Sequence, residues 1–126
     1  MTEELVRTLV TAGGYTHPLF ATAAPTTPLP GQAVLLLMGG LVEQSGLLDD
    51  AVALLELGPA RFHAMVRAGD RLSILVEEAG SRSTADGRLV STYRWAVVDQ
   101  AGSTVAETRA VMLRRAPEDL PEEASA

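Results

Sequence analysis

The sequence predicts an α+β fold in which an antiparallel sheet wraps around one long central helix. An apolar run from residue 31 to residue 45 has the length of a helix. Several alternating apolar and polar segments joined by hairpin turns then follow it. A single apolar helix followed by such a meander packs best inside a curved sheet. With 126 residues and 47% apolar content, the chain can bury the core of a single domain.

The N-terminal part is predicted to contain a short helix followed by a long loop. Thr2 is a typical N-cap, acidic residues occupy the first turn after it, and Gly13-Gly14 ends the helix. The segment 15–30 contains four prolines and four threonines and has little periodicity, which is typical of a loop. Because long loops in small domains often carry function, we expect functional residues in this segment.

The central helix is predicted to begin at Pro30-Gly31 and to end at Ser45, with Gly46 as its cap. Apolar residues cover nearly its whole surface, so we expect other elements to cover it on most sides. Gly39-Gly40 lowers the helix propensity, which predicts the close approach of another backbone, either the sheet or a partner subunit.

The C-terminal half is predicted to form the sheet. Alternation and turn residues predict strands at 51–57 and 61–66 around a bend at Gly58-Pro59, and further strands at 71–77, 89–98 and 104–113. The domain is thus predicted to span residues 1–115, with residues 116–126 as an acidic, frayed tail. A single sheet leaves edge strands unpaired, so we expect a homodimer or a higher homo-oligomer.

Composition argues against several classes of function. A net charge of −6, with arginine as the only basic residue type, provides no basic stripe for nucleic acid. The apolar stretches are too short to span a membrane. The absence of cysteine and the separation of the two histidines argue against a metal site, and we expect no cofactor. The N-terminus does not have the pattern of a secretion signal, so we expect a cytoplasmic protein.

The predicted junction between loop and central helix combines two chemical features. Tyr15 and His17 lie in the loop, and an imidazole exchanges protons close to neutral pH. The first amides of the helix, those of Gly31 and Gln32, are free to bind a negatively polarised oxygen. Together these groups predict chemistry on an acyl carbonyl.

Three motifs of the chain resemble the MaoC-like (R)-specific enoyl hydratase and dehydratase branch of the hotdog-fold superfamily. The segment 14–19, Gly-Tyr-Thr-His-Pro-Leu, is similar to that branch's Gly-Asp-x-Asn-Pro-x-His segment. Pro30-Gly31 resembles its His-Gly helix entry. The segment 62–70, with Phe62, Val66 and Gly69-Asp70, is similar to its Phe-x-x-Pro-Val-x-x-Gly-Asp element, with methionine in place of the proline.

The resemblance implies a single hotdog domain that hydrates enoyl thioesters or dehydrates β-hydroxyacyl thioesters, carried by coenzyme A or by a carrier protein. The catalytic pair of the family is replaced, because Tyr15 stands at the aspartate position and Phe20 at the histidine position. His17 falls at the asparagine position. We therefore predict His17 and Tyr15 as catalytic residues, and Gly31 and Gln32 as substrate-binding residues.

Two other functions remain open from the sequence. A chain without the usual catalytic pair could bind an acyl group, or pair with an active subunit, without turning substrate over. A thioesterase would instead use a carboxylate on the central helix, for which Glu43 is the candidate. His63 lies on a predicted strand and is interpreted as a histidine at the edge of the core.

Overall fold

The computed structural model describes residues 1–21 and 26–116. Within these ranges the chain forms three helices and four strands. In chain order they are α1 (Glu3–Ala12), α2 (Pro18–Ala21), α3 (Gly31–Ser45), β1 (Ala51–Phe62), β2 (Ser73–Ser83), β3 (Leu89–Val98) and β4 (Thr104–Arg114).

The four strands form one antiparallel sheet in the order β1-β4-β3-β2. Strands β2, β3 and β4 follow one another through hairpins, whereas β1 pairs with β4 at one edge of the sheet. Strand β1 has several register irregularities and continues through the Gly58-Pro59 bend, so the two predicted segments form one strand that ends at Phe62. The predicted α+β class and the sheet against a long central helix are confirmed.

Helix α3 packs against β2 and β3 through a single stripe of buried residues. Gly46 caps it in the left-handed conformation, at φ 76°, as predicted. The side chains that face the sheet are Ala33, Val34, Met38 and Val42.

The prediction that α3 is covered on most sides is wrong for the single chain, because Leu36 remains 65% exposed. A Cβ added at Gly39 or Gly40 would meet no atom of the described chain within 4 Å. The chain's own sheet therefore does not make the predicted close backbone approach at Gly39-Gly40. The other predicted possibility, an approach by a partner subunit, stays a prediction.

The turn before β2 holds the N-terminus in place. The Met1 ammonium donates to the carbonyl oxygen of Asp70 at 2.6 Å, and the Gly69 amide donates to the carbonyl of Met1 at 2.7 Å. Val6 and Val10 then direct the apolar face of α1 into the core. These contacts fix α1 beside the sheet.

The predicted loop 15–30 contains the short helix α2, and its last residues run beside the segment that follows β1. The Leu29 amide donates to the Val66 carbonyl at 2.7 Å, and Arg67 Nε donates to the Thr26 carbonyl at 3.0 Å. Leu29 is buried in the core. This pairing fixes the direction in which the chain enters α3.

The predicted frayed tail lies almost wholly outside the described residues. Its first residue, Ala116, is described and is buried against the fold. The boundary predicted at residue 115 therefore remains a prediction.

Candidate functional site

A cavity of about 180 Å³ lies at the N-terminus of α3. Its wall combines the start of α3, the short helix α2, the segment before α3 and the end of β1. The lining residues are Leu19, Phe20, Pro28, Leu29, Pro30, Gly31, Val34, Phe62, Ala64 and Met65. The predicted junction of loop and central helix therefore forms one side of an apolar cavity.

The first two amides of α3 are unpaired. The Pro30 carbonyl accepts from the amides of Ala33 and Val34 at 3.0 and 3.2 Å, while Pro30 provides no side-chain cap. The amides of Gly31 and Gln32 donate to no acceptor in the described part of the chain. Free N–H groups and the helix dipole at this end favour a negatively polarised oxygen.

Gly31 lies directly beneath the ring of Phe62. A Cβ built at Gly31 would be 3.1 Å from the nearest ring carbon, closer than ordinary van der Waals contact. The absence of a side chain at Gly31 therefore allows β1 and α3 to meet at the cavity wall. Glycine also exposes its backbone amide to a bound ligand.

Tyr15 is held against the first turn of α3. Its hydroxyl donates to Gln32 Oε1 at 3.2 Å, and its ring contacts Phe20 edge-on with centroids 5.3 Å apart. The structure thus brings Tyr15, Gln32 and Gly31 together, three of the four residues predicted for the site. Tyr15 itself is not among the lining residues of the cavity, although its ring contacts Phe20, which is.

His17 is exposed and takes part in the local turn that begins α2. The Leu19 amide donates to its Nδ1 at 3.0 Å, so Nδ1 carries no proton in this arrangement. The neutral ring then carries its proton on Nε2, which makes no hydrogen bond to the described residues. The His17 ring centroid is 6.5 Å from that of Phe20. His17 itself is not among the residues that line the cavity.

Among residues 1–21 and 26–116, no titratable side chain lines the cavity. Phe20, which stands at the histidine position of the resemblance, forms part of this wall. Phe62 and Met65 also belong to it. Their position in the predicted strand 61–66 gave no signal that this segment would lie against the start of α3, because that contact depends on tertiary packing.

The other candidate residues lie elsewhere. Glu43 is in the last turn of α3, two turns or more away from Gly31 along the helix. His63 is exposed rather than at the core edge, and its Nε2 lies 3.2 Å from Glu107 Oε2. Arg94 also donates a hydrogen bond to that carboxylate. The hydrogen bond from Arg94, and to a smaller extent the one with His63, lowers the pKa of Glu107.

No group of three or more histidine or acidic residues within residues 1–21 and 26–116 has the arrangement of a metal site. None of the helices in the same ranges is long and apolar enough to cross a membrane.

Several solved structures are similar to this chain over most of its length. The monoamine oxidase regulatory protein from Archaeoglobus fulgius is 23% identical, with a TM-score of 0.80 over 92% of this chain and 83% of that one. A putative MaoC domain protein dehydratase from Chloroflexus aurantiacus is 25% identical, with a TM-score of 0.79. The match covers 96% of this chain but only 37% of the Chloroflexus protein.

A complex described as a (3R)-hydroxyacyl-ACP dehydratase, HadBC from Mycobacterium tuberculosis, also matches. It is 19% identical, with a TM-score of 0.70 over 89% of this chain and 86% of that one. A further matched protein of that organism is described as having a double hotdog fold. This chain has the hotdog fold. No protein-family model and no curated protein sequence matches it.

The hotdog fold confirms the architecture that the three motifs predicted, and the structural resemblance to MaoC-like dehydratases is confirmed with it. In this hotdog domain, α3 is the central helix and its N-terminus opens on the cavity. The roles of individual residues in the cavity remain to be tested.

Proposed function

We propose that this hotdog protein binds acyl thioesters at the N-terminus of α3 and catalyses the hydration of an enoyl thioester or its reversal. The observation that carries the proposal is the pair of free amides, Gly31 and Gln32, at an apolar cavity. The thioester carbonyl oxygen would accept from these amides, and the acyl carbons would occupy the cavity. The thioester carrier, coenzyme A or a carrier protein, would remain outside.

The amides favour the chemistry because they stabilise the charge that develops during it. In hydration, water oxygen bonds to Cβ, the electrons of the C=C bond move toward the carbonyl oxygen, and Cα then takes up a proton. The enolate oxygen carries the negative charge between these events. One donor aimed at such an oxygen contributes about 3 kcal/mol to the transition state.

Proton transfer is assigned to Tyr15 and His17, since the described residues of the cavity wall include no titratable side chain. Tyr15 is hydrogen-bonded to the side chain of Gln32 and would exchange its proton with the substrate hydroxyl or carbonyl. His17 would take the proton that water loses as its oxygen bonds to Cβ and would then return that proton to Cα, both through Nε2. This requires the Leu19 amide to release Nδ1, which then carries the ring proton. Gln32 would orient Tyr15 and contribute its own amide to the carbonyl.

The proposal is tested by incubating the protein with crotonyl-CoA, a 3-hydroxyacyl-CoA and a saturated acyl-CoA. Loss of the enoyl absorbance is expected, without release of free thiol. Release of thiol from the saturated substrate would instead indicate a thioesterase, with Glu43 as the candidate carboxylate.

The role of His17 is tested with a matched pair of variants. Asparagine at position 17 can still accept the Leu19 amide, so His17→Asn preserves the turn and removes only the titratable group. His17→Ala removes both. If His17→Asn retains full hydration while His17→Ala loses it, the imidazole has a structural role and the catalytic assignment is wrong.

A second function is favoured by the apolar cavity wall. With Phe20 in the wall and no titratable side chain there, the hotdog domain is suited to hold an acyl group without turning it over. This reading predicts saturable binding of crotonyl-CoA together with no change in its absorbance. Hydration that depends on Tyr15 and His17 would reject it.

We further propose that the protein forms a homodimer through the edge of β1. Strand β1 pairs only with β4 in the described chain, and five of its large apolar side chains are exposed: Val52, Leu54, Leu55, Leu57 and Phe62. Pairing of β1 with β1 of a second copy would cover them and extend the sheet. Phe62 lies in the cavity wall, so the partner would also border the site.

The dimer is tested by light scattering during gel filtration. Leu55→Glu places a charge in the apolar part of β1 and is expected to shift the protein to the monomer mass. Leu47 lies outside the strand and is 62% exposed, against 53% for Leu55, so Leu47→Glu is the control and should leave the mass unchanged. If the wild-type protein has the monomer mass at both ends of a 100-fold dilution series, the proposed dimer is contradicted.

A further inference from the structure

We propose that the cavity at the N-terminus of α3 selects short acyl groups, of up to about six carbons, and that Leu29 and Val34 set this limit. The inference rests on the proposed function, which places the thioester carbonyl at the free amides of Gly31 and Gln32. It concerns the other end of the acyl group, which lies inside the apolar cavity.

The inner end of the cavity is formed by the protein's own core. Leu29 and Val34 both line the cavity, and both side chains are almost fully buried. They belong to the same core cluster as Val6, Val10 and Val66. An acyl chain that extends past them would have to displace packed side chains, which is unfavourable because protein interiors leave few voids.

The outer side of the cavity is open to solvent. Leu19, Phe62 and Met65 line this side, and each of them is about half exposed. Val34 follows Gly31 by three positions in α3, so the two residues lie on the same side of the helix. An acyl group whose carbonyl is held at Gly31 therefore meets Val34 within about one helical turn, or 5.4 Å.

The volume of the cavity gives the size of the group that fills it. An enclosed apolar cavity of about 150 Å³ binds benzene, a molecule of six carbons. The cavity at α3 measures about 180 Å³, and part of this space lies at the open side, where the thioester carbonyl would be. An acyl group of about four to six carbons therefore fills it, and the methylenes of a longer chain gain no further apolar contact.

The test measures the affinity of saturated acyl-CoA esters by titration calorimetry, with free coenzyme A as the reference. Saturated chains have no double bond to hydrate, so this measurement is independent of turnover. Each methylene buried in the cavity should tighten binding about fourfold, which corresponds to about 0.8 kcal/mol. Hexanoyl-CoA should therefore bind about 15-fold more tightly than butyryl-CoA, whereas octanoyl-CoA and decanoyl-CoA should bind no more tightly than hexanoyl-CoA.

A matched pair of variants tests the inner end of the cavity. Val34→Ala removes two methyl groups there, so octanoyl-CoA should now bind about tenfold more tightly than hexanoyl-CoA. Val42→Ala makes the same truncation about two turns further along α3. Val42 is 2% exposed, against 3% for Val34, but it does not line this cavity. The Val42→Ala variant should therefore keep the chain-length preference of the wild type.

Because Val34 belongs to the core, a second variant is made at Ala64, an exposed residue of the lining. Ala64→Leu fills part of the cavity, so hexanoyl-CoA should lose most of its advantage over butyryl-CoA. Ala101→Leu, at an exposed alanine in the turn between β3 and β4, is its control and should preserve that advantage.

Three results would overturn the size limit. Affinity could continue to rise through decanoyl-CoA, the variants Val34→Ala and Ala64→Leu could both keep the wild-type preference, or no acyl-CoA could bind more tightly than coenzyme A. The last result would also contradict acyl binding at this site. Hydration of crotonyl-CoA is measured separately. If the limit is observed but crotonyl-CoA is not hydrated, the lyase proposal fails while the selection of short acyl groups is supported.

Discussion

Strands β1 and β3 are both rich in apolar residues, yet the fold treats them in opposite ways. In β3, Trp95 and Val97 are buried, because the strand is hydrogen-bonded on both sides and lies under α3. In β1, Leu55 is 53% exposed, and leucines on both faces share this exposure. The strand has one hydrogen-bonded neighbour. Apolar residues in a strand therefore indicate that its side chains are covered in the functional protein. For β1, the single chain does not cover them.

The largest expected effect comes from truncating the buried strand. Trp95→Ala should lower the free energy of unfolding by about 3–5 kcal/mol, because it removes a large side chain from the packed core. Leu55→Ala in β1 should cost less than about 0.5 kcal/mol at protein concentrations where the monomer dominates. Urea unfolding monitored by circular dichroism measures both. Equal losses would show that β1 is buried within its own chain.

The next effect concerns the ion pair that ties the start of β1 to the sheet. Arg114 at the end of β4 binds Asp50 through three contacts, of 3.0, 2.9 and 2.7 Å, and also reaches Ser91 in β3 at 3.4 Å. The hydrogen bond to Asp50 raises the pKa of Arg114. Asp50→Asn should therefore cost about 2 kcal/mol, because it leaves a partly buried guanidinium without its charge partner.

Asp49→Asn is the control for this ion pair, since the adjacent carboxylate is exposed and has no ion-pair partner in the described ranges. It should change the urea midpoint only slightly. A similar loss in both variants would mean that general charge near the end of α3, rather than the Asp50–Arg114 contact, holds β1 in place.

A smaller effect distinguishes the uncovered helix surface from the covered one. Gly39→Ala should stabilise the monomer by up to about 1 kcal/mol, because alanine favours the helix and its Cβ meets nothing within 4 Å. Gly31→Ala should destabilise it, since the new Cβ would press on the Phe62 ring. Thermal unfolding at two protein concentrations measures the signs. A loss for Gly39→Ala only at high concentration would show that a second copy approaches this surface.

The smallest effect lies on the outer face, where Glu107 links His63, just beyond β1, to Arg94 in β3. Because these partners lower the pKa of Glu107, the carboxylate stabilises the fold above the ordinary glutamate pKa of about 4.5. That contribution is lost as the pH falls through the lowered value. The stability difference between wild type and Glu107→Gln should therefore shrink from pH 6 to about pH 3. A difference independent of pH would contradict the pairing.

Local patterns in the sequence were sufficient for the fold class and for α1, α3 and β3, but they did not give the short helix α2 or the extent of β1 and β2. Thr2 and Gly46 mark the predicted helix ends, because capping depends on a few neighbouring residues. Strand β3 has the predicted bounds, 89–98, because alternation and a hairpin turn are also local signals. The free amides at Gly31 follow from the same logic, since every helix begins with unpaired donors.

Only the tertiary structure decided which apolar surfaces are covered and which side chains surround the helix start. Phe62 and Met65 reach the cavity through contacts between residues far apart in sequence. His17 lies at the surface instead of in the cavity wall because its Nδ1 is bound in the turn that begins α2. The sequence determined the local conformations, since these depend on neighbours along the chain. The site depends on how those elements pack, which no local pattern specifies.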